Sequence, residues 1–202
     1  MKAGLPREVR LIGGQWKRSK LPVLDRPGLR PTPDRVRETL FNWLGQDLTG
    51  WRVLDAFAGS GALGFEAASR GAAEVTLLER DASLVSSLQA SQARLGATAL
   101  CVERAEALAW MARCTPQRFD LVLLDPPFDA GLSARSVALA ARLAAPGGFV
   151  YLESAQALLA WPPELQLHRS ARAGAVYSQL FLALPGAVEA TLAPPTTEEE
   201  AT

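Results

Sequence analysis

The sequence predicts an α/β fold: a seven-stranded, mostly parallel sheet with an antiparallel last strand, covered by helices on both faces. Three observations predict it. From Trp51 onward, short apolar runs alternate with longer stretches of helical periodicity. Such alternation implies a parallel sheet covered on both faces, and the last two runs lie too close together for a helix to cross between them. A length of 202 residues, 49% of them hydrophobic, is enough for one core of ordinary size.

Strands are expected at Arg52–Ala56, Glu74–Glu79, Ala99–Glu103, Phe119–Asp125, Phe149–Glu153, Leu165–Arg169 and Val176–Leu184. Helices are expected at Ala62–Arg70, Ala82–Leu95, Glu106–Arg113, Ser133–Ala145 and, briefly, Ala155–Trp161. Gly174 joins the final two strands, which should therefore be antiparallel. This domain is expected to span residues 33–185, with ligands at the carboxyl ends of its strands. Ahead of it, residues 1–32 form a basic arm. Within the arm, Val9 to Val23 alternates imperfectly around Gly13-Gly14, which reads as a small N-terminal β-hairpin closed by a tight turn. Arg30-Pro31-Thr32-Pro33 is a helix start, with Thr32 as N-cap and Pro33 at the first helical position. Val36, Leu40, Phe41 and Leu44 supply that helix's buried face, leaving Asp34, Arg35, Arg37 and Glu38 to face outward or into a site. Residues 186–202, with Pro194-Pro195 and Glu198-Glu199-Glu200, have too little periodic apolar content to order themselves, and a flexible acidic tail is expected.

A net charge of zero hides an asymmetry. Residues 1–37 hold ten Lys and Arg against Glu8, Asp25 and Asp34, whereas the rest holds eleven Arg against eighteen acids. A basic arm on an acidic body suits a polyphosphate partner, although a solvated basic surface reads the same way. No apolar run is long enough to cross a membrane, and the N-terminus lacks the apolar stretch of a secretory signal, so a cytoplasmic protein is expected, without a membrane partner and as a monomer. Cys101 and Cys114 show no metal-ligand spacing and read as packing cysteines; the single histidine, His168, excludes a multi-histidine centre, and no metal is expected.

The first domain strand ends in Asp55-Ala56-Phe57-Ala58-Gly59-Ser60-Gly61-Ala62-Leu63-Gly64. Gly59, Gly61 and Gly64 satisfy a G-x-G-x-x-G pattern that raises nicotinamide cofactors first. Asp55 argues against them, because its carboxylate would lie near a dinucleotide's pyrophosphate. S-adenosylmethionine instead brings an ammonium and a sulfonium to this place. The second strand ends at Glu79, where a carboxylate can accept hydrogen bonds from ribose hydroxyls.

The fourth strand runs into Asp125-Pro126-Pro127-Phe128. Two prolines stiffen the loop and remove N–H donors, so a carbonyl and the Asp125 carboxylate can accept hydrogen bonds while Phe128 offers a stacking face. An exocyclic amino group on a flat base fits. Two acceptors holding its hydrogens turn the nitrogen lone pair toward a methyl donor, so positioning supplies much of the rate.

Residues 55–64, Glu79 and the 125–128 tetrad together resemble a class I S-adenosylmethionine-dependent methyltransferase of the amino-methylating kind, with its Rossmann-like fold. Arg10-Leu11-Ile12-Gly13-Gly14-Gln15-Trp16, Gly28-Leu29-Arg30-Pro31-Thr32 and the stretch from Asp34 to Leu44 narrow the resemblance to the ribosomal RNA small subunit methyltransferase D family, over about Glu8 to Leu184. That resemblance implies methylation of a guanine N2 amino group in small-subunit ribosomal RNA, on a partly assembled 30S particle. It implies S-adenosyl-L-methionine held by Asp55, Phe57, Ala58, Gly59, Ser60, Gly61, Glu79 and Arg80, with guanine held at Asp125, Pro126, Pro127 and Phe128. The adenine-reading Asp or Asn of many relatives is replaced by Ala105, followed by Glu106, so adenine is read there by backbone or by Glu106. Arg10, Lys17, Arg18, Lys20, Arg30, Arg35 and Arg37 become candidates for RNA backbone contact near the reactive corner. A DNA adenine or protein glutamine methyltransferase, a nicotinamide oxidoreductase and a non-catalytic RNA-binding assembly factor remain as alternatives.

Overall fold

The computed structural model describes residues 8–24, 33–127 and 131–185. Thr32, Arg30, Phe128 and residues 186–202 lie outside the described residues. The chain opens with strands β1 (Glu8–Arg10) and β2 (Lys20–Pro22), followed by helix α1 (Asp34–Leu44). The domain then alternates: β3 (Arg52–Asp55), α2 (Ala62–Ser69), β4 (Glu74–Glu79), α3 (Ala82–Leu95), β5 (Leu100–Arg104), α4 (Ala107–Arg113), β6 (Phe119–Leu124), α5 (Leu132–Leu143) and β7 (Ala144–Ser154). Strands β8 (Leu165–Ala173) and β9 (Val176–Ala183) finish it.

The seven domain strands form one sheet in the order β5-β4-β3-β6-β7-β9-β8. Strands β3 to β7 pair in parallel, and β9 is antiparallel to both β7 and β8, as the short connection through Gly174 required. The strand order reverses between β3 and β6, so their carboxyl ends open a crevice. Helices α1 and α2 cover one face, where Tyr151 and Leu180 are buried; α4 and α5 cover the other, against Leu54, Val122 and Phe181. Among the described residues, no helix is long and apolar enough to cross a membrane, and no group of three or more His, Cys, Asp and Glu could hold a metal ion.

Local chemistry places the helix ends. Asp81 caps α3 by accepting from the N–H groups of Ser83 and Leu84, and Gly96 closes it in the left-handed conformation. Helix α1 begins one residue later than expected: Pro33 takes the N-cap position with extended backbone and no side-chain cap, and Asp34 supplies the first-turn charge.

Every residue of α2 is buried, because the N-terminal hairpin covers the side that the sheet does not. The expected tight turn at Gly13-Gly14 is instead a longer connection, Leu11 to Ser19, laid against α2. Glu66 accepts from the N–H groups of Ile12 (2.8 Å) and Gly13 (2.7 Å), and Ser69 Oγ donates to the Gly13 carbonyl at 2.6 Å. Gly14 has φ +70°, and a Cβ there would lie 1.8 Å from the Ser69 carbonyl oxygen, so only glycine permits the approach.

Arg37 also lies inside. Expected to face outward or into a site, it is fully buried, donating to Asp34 (2.7 Å), Glu66 (3.4 Å) and the Arg10 carbonyl (2.8 Å). With Arg70 on the second oxygen of Glu66, it neutralises a carboxylate that would otherwise sit uncompensated in the core.

Two further expectations are corrected. Ala155 to Trp161 is not helical: the Leu158 N–H donates to Gln179 Oε1 (2.7 Å), and Gln179 Nε2 donates to the Leu158 carbonyl (3.0 Å). A buried side chain from β9 thus satisfies the main-chain groups that a helix would have paired. Cys114 packs in the core, but Cys101 is exposed because edge strand β5 leaves it facing solvent.

Candidate active site

Asp55 ends β3 and Glu79 ends β4, its parallel neighbour, so both acids flank the glycine turn at the carboxyl edge of the sheet. Gly59 and Gly61 adopt positive φ, and a Cβ on Gly61 would lie 2.6 Å from Leu88 and 2.7 Å from Phe65. Glu79 fixes the turn, accepting from the Gly59 N–H at 3.1 Å with one oxygen and from the Asp81 N–H at 2.8 Å with the other. Each oxygen keeps a lone pair for a further donor.

Asp55 is 1% exposed. Its Oδ2 accepts from the Gly64 N–H at 2.9 Å, while Oδ1 is buried and meets no donor among the described residues. Burial pushes the carboxyl up to about 7, against hydrogen bonding from the Gly64 and Phe57 N–H groups and with added repulsion from Asp125 and Glu79. A buried acceptor without a donor beside a close-approach turn fits a ligand that brings a cation. The ammonium of S-adenosylmethionine is such a group.

Asp125 follows the last residue of β6 and is half-buried; Pro126 is buried and Pro127 exposed. Strand register aligns a row behind this corner. Asp55 pairs with Leu123, Leu123 with Tyr151, and Tyr151 with Leu180; one step further out, Leu124 pairs with Leu152, and Glu153 pairs with Ser178. Asp125 and Glu153 therefore leave adjacent strands on the face of Asp55. Glu153 is buried, and Tyr151 Oη donates to its carboxylate at 3.0 Å, with Ser178 Oγ 3.1 Å from the same hydroxyl. Burial and the neighbouring charges of Glu153 and Asp125 raise the Tyr151 hydroxyl well above its ordinary value, so it stays protonated. Sequence reasoning missed Tyr151 and Glu153, though a tyrosine and a glutamate spaced by two near the end of an apolar strand were a legible signal.

The remaining candidates divide. Phe57, Ser60 and Ala105 are half-buried, Ala58 is buried, and Arg80 is exposed at the rim. The Ala105 N–H donates to the Glu79 carbonyl at 3.0 Å. Glu106 caps α4, accepting from Leu108 (3.2 Å) and Ala109 (2.7 Å). Arg10, Lys17, Arg18, Lys20 and Arg35 are exposed, and Lys20 pairs with Glu8 at 2.7 Å. Arg37, being buried and triply bonded, is not available to RNA. Nor does the Lys17-Arg18 turn lie beside the reactive corner. The Gln15 N–H donates to the Ser69 carbonyl (2.7 Å) and the Trp16 N–H to Ser69 Oγ (3.0 Å) at the carboxyl end of α2. That end is one helix length, about 12 Å, from the glycine turn.

Known proteins resemble this chain over most of its length. A family model described as Conserved hypothetical protein 95 matches residues 9–182. Ribosomal RNA small subunit methyltransferase D of Escherichia coli strain K12 is 44% identical over 179 residues, covering 86% of this chain and 89% of that protein. The solved structure of a candidate methyltransferase from Escherichia coli superposes with a TM-score of 0.80 at 39% identity, over 88% of this chain and 98% of the other. A Thermus thermophilus 16S rRNA N2 G1207 methyltransferase, solved with AdoMet and guanosine, superposes with a TM-score of 0.60 at 25% identity, over 88% of this chain and 49% of its own. With a family model spanning the domain and such a relative matched over most of both lengths, the chain belongs to the ribosomal RNA small subunit methyltransferase D family.

Proposed function

We propose that this chain transfers a methyl group from S-adenosylmethionine to the exocyclic N2 amino group of a guanine in small-subunit ribosomal RNA, on an assembling particle. One observation carries the reading: the buried, donorless oxygen of Asp55 lies at the glycine turn, on the strand beside the one that ends in Asp125-Pro126-Pro127. A cation site and a donor-poor amine site thus open into the same crevice. The solved relative named for N2 methylation of G1207 supports guanine as the base.

When bound, S-adenosylmethionine supplies an electrophilic methyl group. Asp55 accepts hydrogen bonds from the ammonium, and Glu79 from the ribose. The Asp125 carboxylate and the carbonyl of Pro126 accept the amino hydrogens of the guanine, which must leave its stack to reach them. These acceptors gain strength as positive charge develops on the nitrogen, so they stabilise the transition state more than the bound substrate. Asp125 then takes the proton that the amine sheds.

The test is incubation with labelled S-adenosylmethionine and small-subunit particles lacking the mark. N2-methylguanine is the expected product, and Asp125→Ala should abolish it while leaving RNA affinity in place. Label in DNA or protein, with RNA unmarked, overturns the reading.

A further inference from the structure

Strand β8 departs from a regular ladder at one place. Gln166 pairs with Leu182 and Leu167 with Phe181, but the next pair joins Arg169, not His168, to Leu180. His168 is an extra residue, and such a bulge turns every later side chain of the strand to the opposite face. In a regular ladder Arg169 would share the face of Leu167 and Phe181, on the α5 side. Instead it stands in the row Arg169, Leu180, Tyr151, Leu123, Asp55, on the face where Asp125 and Glu153 leave the sheet. The bulge is anchored: the His168 ring packs on Phe149 with centroids 5.7 Å apart, and Phe149 stacks on Trp51 at 6.1 Å.

The hairpin that carries Arg169 holds one sign of charge. Leu165 to Ala183 contains no Asp or Glu in a chain that has 21 of them. Gln166 to Ser170 are exposed, and Arg172 lies over the Tyr177 ring at 4.9 Å near the tip of the same hairpin. By strand spacing, Arg169 lies about 14 Å across the sheet from β6. The Lys17-Arg18 turn, by contrast, sits at the far end of α2.

We propose that the His168 bulge makes Arg169 a phosphate-contacting residue for RNA, a second anchor on the β8 side of the sheet, apart from the basic hairpin at the far end of α2. Phosphate contacts at two separated places fix the orientation of an RNA strand that a single contact would leave free to pivot. The inference rests on the RNA reading above. Bulges and charges also guard edge strands against pairing with another chain, and that role makes a different forecast.

Binding of the full chain to naked small-subunit ribosomal RNA and to unmarked particles is measured across salt. Arg169→Ala should weaken both roughly two- to fivefold. It should also reduce the slope of log K against log salt by about 0.7 to 0.9, the share of one phosphate contact. Arg169→Lys should restore most of the slope, and S-adenosylhomocysteine affinity should not change. Deleting His168, with folding checked by circular dichroism, should reproduce the loss although the charge is kept; if that variant does not fold, the Ala and Lys pair decides. Wild-type affinity and slope in Arg169→Ala overturn the proposal. So does a loss confined to particles, which signals a protein partner, or unchanged RNA binding with new self-association, which signals edge protection. Methylation by the wild-type chain separates the two readings: a mark on DNA or protein sinks the RNA assignment itself, whereas marked RNA with an unaffected Arg169→Ala sinks only the second anchor.

Discussion

Ligand binding at Asp55 should be linked to a proton. In the free protein, burial holds this carboxyl at about 7, while pairing with an ammonium requires it ionised. The association constant for S-adenosylhomocysteine, which carries the same ammonium, should therefore fall about tenfold per pH unit below 7 and level off above it. Near pH 6 roughly one tenth of the plateau affinity remains, and binding there releases close to one proton. Calorimetry in two buffers of different ionisation enthalpy reads both quantities. Asp55→Asn should remove the slope and weaken binding by about tenfold or more, the loss of a charge-assisted hydrogen bond. The same change has an opposite effect on the empty fold. Because the folded value lies above the ordinary carboxyl value of 3.8, the stability linked to protonated Asp55 is complete below that value and is lost as pH rises through about 7. The loss is up to about 4 kcal/mol. Asp55→Asn, which keeps an acceptor for Gly64, should then melt higher than the wild type at about pH 8 while binding ligand poorly. Affinity independent of pH across this range, with no proton release and no stabilisation by Asn, would refute the reasoning.

Two structural predictions follow from the buried polar contacts. Glu66→Ala strands Arg37 and Arg70 and frees the Ile12 and Gly13 N–H groups; it should cost about 3–5 kcal/mol in urea unfolding, with Glu66→Gln milder. Gln179→Leu removes both bonds to Leu158 and should cost about 1–3 kcal/mol, with faster hydrogen exchange at the Leu158 amide and little change at Asp55.

How far the sequence could be read differs from residue to residue. Asp55, the glycine turn, Glu79 and Asp125-Pro126-Pro127 were legible because each sits where an apolar run stops and turn-forming residues begin, a local signal. Arg37 was misplaced for want of one comparison: Arg37, Phe41 and Leu44 fall at i, i+4 and i+7, so the periodicity that buries Phe41 also buries Arg37. Glu66 stands out in the same way, as one acid in an otherwise apolar helix. The loop at Ala155 to Trp161 had no local signal, since the group that satisfies Leu158 is Gln179 on a later strand.

By itself the sequence determined the alternation of strands and helices, the antiparallel finish and the acids at the strand ends, because each depends on the spacing of neighbours along the chain. Tertiary structure alone decided that the Lys17-Arg18 turn lies a helix length from the crevice, and that one oxygen of Asp55 is buried without a donor. It alone set Tyr151, Glu153 and Arg169 on the sheet face of Asp55. The reason is physical: burial of a charge and the face of a strand are set by pairing partners distant in sequence, and a single bulged residue reverses what local alternation would give.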